Sequence, residues 1–336
     1  MSAPTTYART NIYKIPRGRP AFAMRRADGT YDGFRWLGNC PEFDLEIQTE
    51  NYQHKNSEGG LNEIDLDIPI SVTRTSNVKI DNLDNDNLSI FAGATTATYT
   101  QAATAVTNFA LNKIRTNRAY QLGEDLTPSG ARGVSAVAVD LNAAVRANST
   151  AYAKGAIYTA TTDNTHAYIC TVAGTSGIAE PTYTTGGTTF TDGTATFLDL
   201  GVYTGLTSGT DFLVDGALGL VSIGLTGKLA TMYTRAIAVM TDAEFSINVL
   251  VDYTPAANTR TQIATGSTAA VRGKLKFVAD NPYGENQDVL IPDCTISPSG
   301  KLPFIGANEA ASVDFKVGIN ILNSTTAAIY IDNRPA

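Results

Sequence analysis

Two stretches of strict alternation mark the first quarter of the chain. In Glu42-Phe43-Asp44-Leu45-Glu46-Ile47 the apolar residues fall on one side and Glu42, Asp44 and Glu46 on the other. Glu63-Ile64-Asp65-Leu66-Asp67-Ile68 repeats the pattern, with Glu63, Asp65 and Asp67 opposite three aliphatics. Period two predicts half-buried strands with one wet face. Residues 51–62 between them are polar, contain Gly59-Gly60 and are long for a tight hairpin loop, a length that points to function or to disorder. Further strands are predicted at 134–139, 212–214, 218–223, 245–253, 274–278, 289–296, 313–321 and 328–331. Asp215-Gly216 and Ser297-Pro298-Ser299-Gly300 read as turns. One short helix is predicted, capped by Asp81 or Asp84, packed through Leu88, Ile90 and Phe91 and ended by Gly93. The chain is therefore read as mainly β with one short flanking α-helix.

Composition refines this picture near residue 146. Residues 146–201 hold 15 Thr among 56 and few large aliphatics, with Tyr152, Tyr158, Tyr168, Tyr183, Phe190 and Phe197 spread between glycine turns. This predicts a small all-β module at 141–204, inserted into a host domain formed by 1–140 and 205–336, with 134–139 and 212–223 as host core strands. A length of 336 residues suits two domains.

Candidate chemistry is mostly excluded. There are two histidines, His54 and His166, and three scattered cysteines, Cys40, Cys170 and Cys294, which argues against a metal site, a disulfide framework and His-based catalysis. His166 and Cys170 are read as a surface His and a buried Cys, too far apart along a strand to form a nucleophile pair. Gly224-Leu225-Thr226-Gly227-Lys228 lacks the spacing and hydroxyl of a phosphate loop. Asn87, Asn148 and Asn323 match a glycosylation pattern by chance, since no secretion signal is recognised and no apolar run reaches a membrane span. No catalytic residue, metal or cofactor is expected, and no enzyme. Charge is uneven: residues 1–40 carry seven basic and two acidic residues, net +5, which leaves −12 of the total −7 on the rest. Arg272, Lys274 and Lys276 alternate on one strand, which is read as a charged edge or a subunit contact.

An ordered series of short motifs resembles the major tail tube proteins of siphophages. It runs through Gly38-Asn39-Cys40-Pro41-Glu42-Phe43, Gln53-His54-Lys55-Asn56-Ser57, Asn87-Leu88-Ser89-Ile90-Phe91-Ala92-Gly93 and Ala119-Tyr120-Gln121-Leu122-Gly123. It resumes at Gly273-Lys274-Leu275-Lys276-Phe277-Val278, Asp280-Asn281-Pro282-Tyr283-Gly284 and Asp288-Val289-Leu290-Ile291-Pro292. The resemblance implies a tail-tube β-sandwich or barrel whose hexameric rings stack into a hollow tube, around the tape measure protein and later around the exiting genome. It implies that the loop at 49–62 reaches an adjacent ring, through Gln53, His54, Lys55, Asn56, Ser57 and Glu58, and that an N-terminal arm at 1–35 bridges subunits, through Arg17, Arg19 and Arg25. The tail at 323–336 is a less certain bridge. Tail terminator and distal tail proteins are the further implied partners, the virion tail the implied location, and the host cytoplasm the place of assembly. The module at 141–204 resembles carbohydrate-binding-like modules of phage tails, on the tube exterior, through Ala151-Tyr152-Ala153-Lys154-Gly155, Glu180-Pro181-Thr182-Tyr183 and Thr191-Asp192-Gly193-Thr194. It has no Trp, so Tyr183 is the remaining candidate contact for cell-surface glycans.

Within that resemblance the acidic alternation acquires a purpose. If Glu42, Asp44, Glu46, Glu63, Asp65 and Asp67 line the bore, six copies at −7 give about −42 per ring, a wall that DNA passes without specific binding. The competing placements are an outward face or an ion-pair seam with the basic arm. A glycan-binding surface protein and a polysaccharide-cleaving enzyme remain the alternative classes.

Overall fold

A computed structural model describes residues 13–57, 60, 63–124, 129–241, 244, 247–265, 270–306 and 310–334. The fold is mainly β, with two short helices among the described residues. The chain separates into two compact units, Met1–Thr98 with Thr261–Ala336, and Tyr99–Arg260. This division is wider than the expected insert, for a reason that lies in the second unit's core.

The first unit is built on one nine-stranded sheet. Gly18–Met24 pairs with Val271–Ala279, which pairs in turn with Asn286–Ser299, Val313–Ile319, Glu63–Ile80 and finally Glu42–Phe43. Its core face carries Phe22, Val78, Ile80, Leu275, Ile291, Ile296, Val313, Phe315 and Val317, all buried. Helix α1 (Asn85–Ala92) contributes Ile90 to the same core. Its ends are those the sequence predicts: the Asp84 carboxylate accepts from Asn87 N, and Gly93 closes the helix in the left-handed region at φ 56°. Three expectations change here. Ala21-Phe22-Ala23 is buried, so the basic arm from Gly18 onward is an integral strand. Val271–Ala279 lies inside the sheet, so Arg272, Lys274 and Lys276 do not sit on an edge. Finally, Pro298 pairs with Phe315, so the strand runs through the expected turn at Ser297-Pro298-Ser299.

Among the described residues the second unit holds four complete sheets, of five, three, three and two strands, and a second helix, α2 (Lys228–Ile237), which the sequence pattern does not predict. A five-stranded sheet comes wholly from the expected module: Ala144–Val145, Ile157–Thr159, His166–Val172, Ala195–Val202 and Thr189–Asp192. One of its faces packs Tyr158, Tyr168, Cys170, Phe190 and Phe197 into a core of its own. Its other face gives Ala167, Ile169, Leu198 and Leu200 to a second core, with Leu229, Met232 and Ala236 of α2 and with Val139, Phe212, Val221, Ile223, Val249 and Val251. The strands around 134–139 and 212–223 therefore pack with the module's sheet. The change in threonine content near 146 marks a change of surface, while the core continues across it.

A buried ion pair closes the module. Arg146 Nε and Nη2 lie 2.6 and 2.9 Å from the two Asp192 oxygens, with both side chains almost inaccessible. Arg146 also donates to Asn148 Oδ1 and to the Gly177 and Ala179 carbonyls, so its fork is fully engaged.

Candidate functional site

The feature of the first unit that its own packing does not explain is a long antiparallel ribbon. Glu46–Asn56 pairs with Glu63–Ile80 from Glu46↔Thr75 out to Asn56↔Glu63. The residues expected to form a loop from 49 onward are thus strand as far as Asn56. On the other flank, Glu63–Ile80 is held by Val313–Ile319 only between Thr75 and Ile80. Residues 63–74 have no strand neighbour except Glu46–Asn56 among the described residues.

Side chains alternate along each stretch of the ribbon, and the register shifts between Glu50 and Asn51 and between His54 and Lys55 change the phase of that alternation. Val78 and Ile80 are buried in the core, Ser76 and Arg74 come next at the same spacing, and Val72, Ile70, Ile68, Leu66 and Ile64 lie farther out along the strand. Tyr52 stands directly opposite Ile68. Ile64, Leu66, Ile68, Ile70, Val72 and Tyr52 are each between 44% and 61% exposed. The sequence pattern predicts a half-buried strand; within this chain nothing covers its apolar side among the described residues.

Acids gather along the ribbon, most regularly at its root. The register puts Glu42 opposite Lys79 and Glu46 opposite Thr75, and Asp67 opposite Gln53. Glu42, Asp44 and Glu46 share a face at the root of the ribbon, and Glu50, which the alternation alone does not reveal, joins them; beyond the register shift at Glu50/Asn51 the phase changes, so Asp67, opposite Gln53, falls on the other side, and the six acids do not share one face as the sequence pattern predicts. Asp44 is also a structural ligand: its carboxylate accepts from Asn77 N at 2.8 Å, and its carbonyl accepts from the Ser76 hydroxyl. Farther out, Gln53 Nε2 donates to Asp67, Ser71 Oγ donates to Glu50, and His54 Nδ1 lies 2.6 Å from Asp65 Oδ1. His54 reaches Asp65 where the register shifts between His54 and Lys55.

The other expected contacts are placed as follows. Lys55 stands opposite Ile64, and Asn56 opposite Glu63; Ser57 follows directly, and Glu58 lies outside the described residues. Arg17, Arg19 and Arg25 sit on or beside the strand Gly18–Met24 and are not on a free arm. Arg17 N donates to Asn281 Oδ1, the Arg19 guanidinium lies 5.5 Å from the centre of Trp36, and Arg25 N donates to Arg272 O. The C-terminal strand Tyr330–Arg334 pairs with Asn286–Ser299, and Arg334 bonds Asp288.

Tyr183, the expected glycan contact, is committed to packing. Its ring stacks on Tyr168 with centroids 4.9 Å apart and meets the edge of Phe190, while its hydroxyl donates to Glu180. Burial pushes that hydroxyl's pKa up. A sugar-stacking platform needs an open ring face, and Tyr168 takes one. His166 is largely buried and bonds Asp199, which corrects the surface reading of that residue. Among the described residues no group of three or more His, Cys, Asp or Glu could hold a metal, and no helix is long and apolar enough to cross a membrane.

A family model described as protein of unknown function UCP028589 matches residues 15–193, more than half of the chain and the whole of the ribbon. Among curated proteins none matches significantly.

Proposed function

The chain belongs to that family of unknown function, so its role has to come from its own surfaces, and we propose that it is a structural subunit that assembles with copies of itself into a hollow phage tail tube. The observation that carries this reading is the run of exposed apolar side chains along the ribbon, Ile64, Leu66, Ile68, Ile70, Val72 and Tyr52. A two-stranded ribbon is marginal in water by itself, and a run of exposed apolar side chains of this kind marks a surface that meets another protein.

Magnitudes favour a closed assembly over a pair. Full burial of an aliphatic side chain is worth about 1.5–3 kcal/mol. With about half of their surface still to be covered, Ile64, Leu66, Ile68, Ile70 and Val72 together offer roughly 4–7 kcal/mol. Association costs about 4–15 kcal/mol in lost freedom. One ribbon contact barely offsets that cost, whereas a ring in which each copy gives one ribbon and receives another forms two contacts per subunit. Head-to-tail contacts that close give rings.

Covering the ribbon also assigns its charge. When a neighbouring copy covers the apolar side chains, the acids of the ribbon are left toward water, and in a tube that water is the bore. The proposed lining is Glu42, Asp44, Glu46, Glu50, Glu63, Asp65 and Asp67. It repels phosphate over a screening length of about 8 Å, which suffices where DNA is never far from the wall. The partners carried over from the resemblance are the tape measure, terminator and distal tail proteins. The testing experiment is electron microscopy of the purified chain at high concentration, alone and with tail extract, where six-fold rings or hollow tubes support the proposal and monomers in both conditions refute it.

A further inference from the structure

The second unit contains an open groove of about 600 Å³ whose lining includes His166, Thr185, Thr210, Asp211, Lys228 and Arg235. We propose that it binds a tetrahedral oxyanion, a phosphate or sulfate group, either free or carried on a polysaccharide. This inference is independent of the tube reading.

The groove presents donors above acids that are already satisfied. Asp199 is fully buried and accepts four hydrogen bonds: His166 Nδ1 at 2.6 Å and Gly201 N at 3.0 Å on Oδ1, Gly187 N at 2.9 Å and Arg235 Nη1 at 2.8 Å on Oδ2. Asp211 is also buried and accepts from Lys228 N at 2.6 Å, and from Thr207 N and Oγ1 at 2.8 and 3.2 Å. Neither carboxylate has an oxygen left idle to repel an incoming anion.

The cations above them are fixed and incompletely used. Arg235 spends Nη1 on Asp199, and its Nε and Nη2 edge makes no hydrogen bond among the described residues. That edge is the fork that matches two oxygens of a phosphate or sulfate. The guanidinium lies against two glycines. A Cβ on Gly187 would stand 3.1 Å from Arg235 Nε, and one on Gly201 would stand 3.1 Å from Nη1. Lys228 Nζ is held by the Thr204 and Gly205 carbonyls at 2.9 and 2.6 Å, which leaves one N–H. Lys228, Thr231 and Arg235 follow one face of α2, all three on the groove. Anchoring α2 to the sheet accounts for Nη1 of Arg235 and Nδ1 of His166; it leaves the open guanidinium edge without a role. The lining contains no Phe, Tyr or Trp, so an uncharged sugar finds no broad stacking surface there.

The chain has two histidines, which makes the test direct. The full-length protein is titrated with sodium sulfate against sodium chloride at matched ionic strength, while the two imidazole signals are followed by NMR and assigned with His54→Gln. A saturable shift of the His166 signal alone is expected, with affinity about tenfold weaker in Lys228→Gln. Arg235→Lys, which keeps the charge and loses the fork, is expected to weaken binding comparably. Dextran sulfate that binds more tightly than inorganic sulfate, with plain dextran inert, identifies a polysaccharide-borne group; equal binding identifies the free ion. No difference between sulfate and chloride overturns the proposal, as does binding that neither variant changes.

Discussion

Phe43 stacks face to face on Phe277, with ring centroids 4.9 Å apart and planes 4° from parallel. Three strands separate theirs in the sheet order, so the sheet of the first unit curls until its core face meets itself. The contact couples Glu42–Phe43, at the root of the ribbon, to the middle of the sheet. A double-mutant cycle of Phe43→Leu and Phe277→Leu, read by urea unfolding, is expected to return a coupling of about 1 kcal/mol. Additive losses would show that the stacking carries nothing beyond area.

The Arg146–Asp192 pair makes a sharper stability prediction. Arg146→Met leaves a carboxylate buried without its partner, at a cost of about 3–5 kcal/mol. Arg146→Met with Asp192→Leu is expected to recover most of that loss, since the site then holds no orphan charge. Thermal unfolding of the two variants is the measurement.

Acid should act on the same groups. Burial pushes Asp192, Asp211 and Asp288 upward, but their hydrogen bonds outweigh it and hold each below the ordinary 3.8. These bonds come from Arg146 and Gly177 N at Asp192, from Lys228 N and Thr207 at Asp211, and from Arg334 and Ala279 N at Asp288. A depressed folded-state pKa gives stability that is complete above the unfolded value and lost as pH falls through the folded one. The melting temperature should therefore hold between pH 7 and 5 and fall below about pH 4. For Arg146→Met the fall should be shallower.

The thiols should be inert in the folded chain. Burial pushes Cys294 up to about 12 and Cys40 up to about 11, and raises Cys170 as well. At pH 8 the thiolate fraction at Cys40 and Cys294 is then about a thousandth or less. A chromogenic disulfide reagent is expected to find none of the three within minutes in native protein and all three in denaturant.

Lysine at Glu42, Glu46, Asp65 and Asp67 together should slow or block genome ejection while tubes still form. Asp44 is left out of this set because its carboxylate holds Asn77 N. Normal ejection kinetics in such a virion would remove the acidic bore from the account.

The sequence made some of this architecture legible. Asp84 and Gly93 announced α1 because caps are local chemistry, and the alternation at 42–47 and 63–68 marked both strands because strand geometry has period two, while the register shifts that split the six acids between faces left no mark in the pattern. What it concealed was tertiary. Ile64, Leu66 and Ile68 read as buried, and whether anything in the same chain covers them is a question of distant pairing. The residues 51–56 looked like loop because they are polar on both faces, yet they pair along their length. Leu229, Met232 and Ala236 carry a helical spacing, but over a run too short and too poor in large aliphatics to stand out in the sequence. Tyr183 looked like a ligand platform because sequence does not tell a packed ring from an open one.

The central claim is that the exposed apolar side chains of the ribbon are covered by another copy of the chain. Leu66→Asp with Ile68→Asp tests it most directly, by electron microscopy of concentrated protein beside the unaltered chain. Both side chains are about half exposed, so the variant's melting temperature at low concentration should stay close to that of the unaltered chain. The expected result is rings or tubes from the unaltered chain and folded monomers from the variant. Tubes formed equally well by both would contradict assembly through the ribbon.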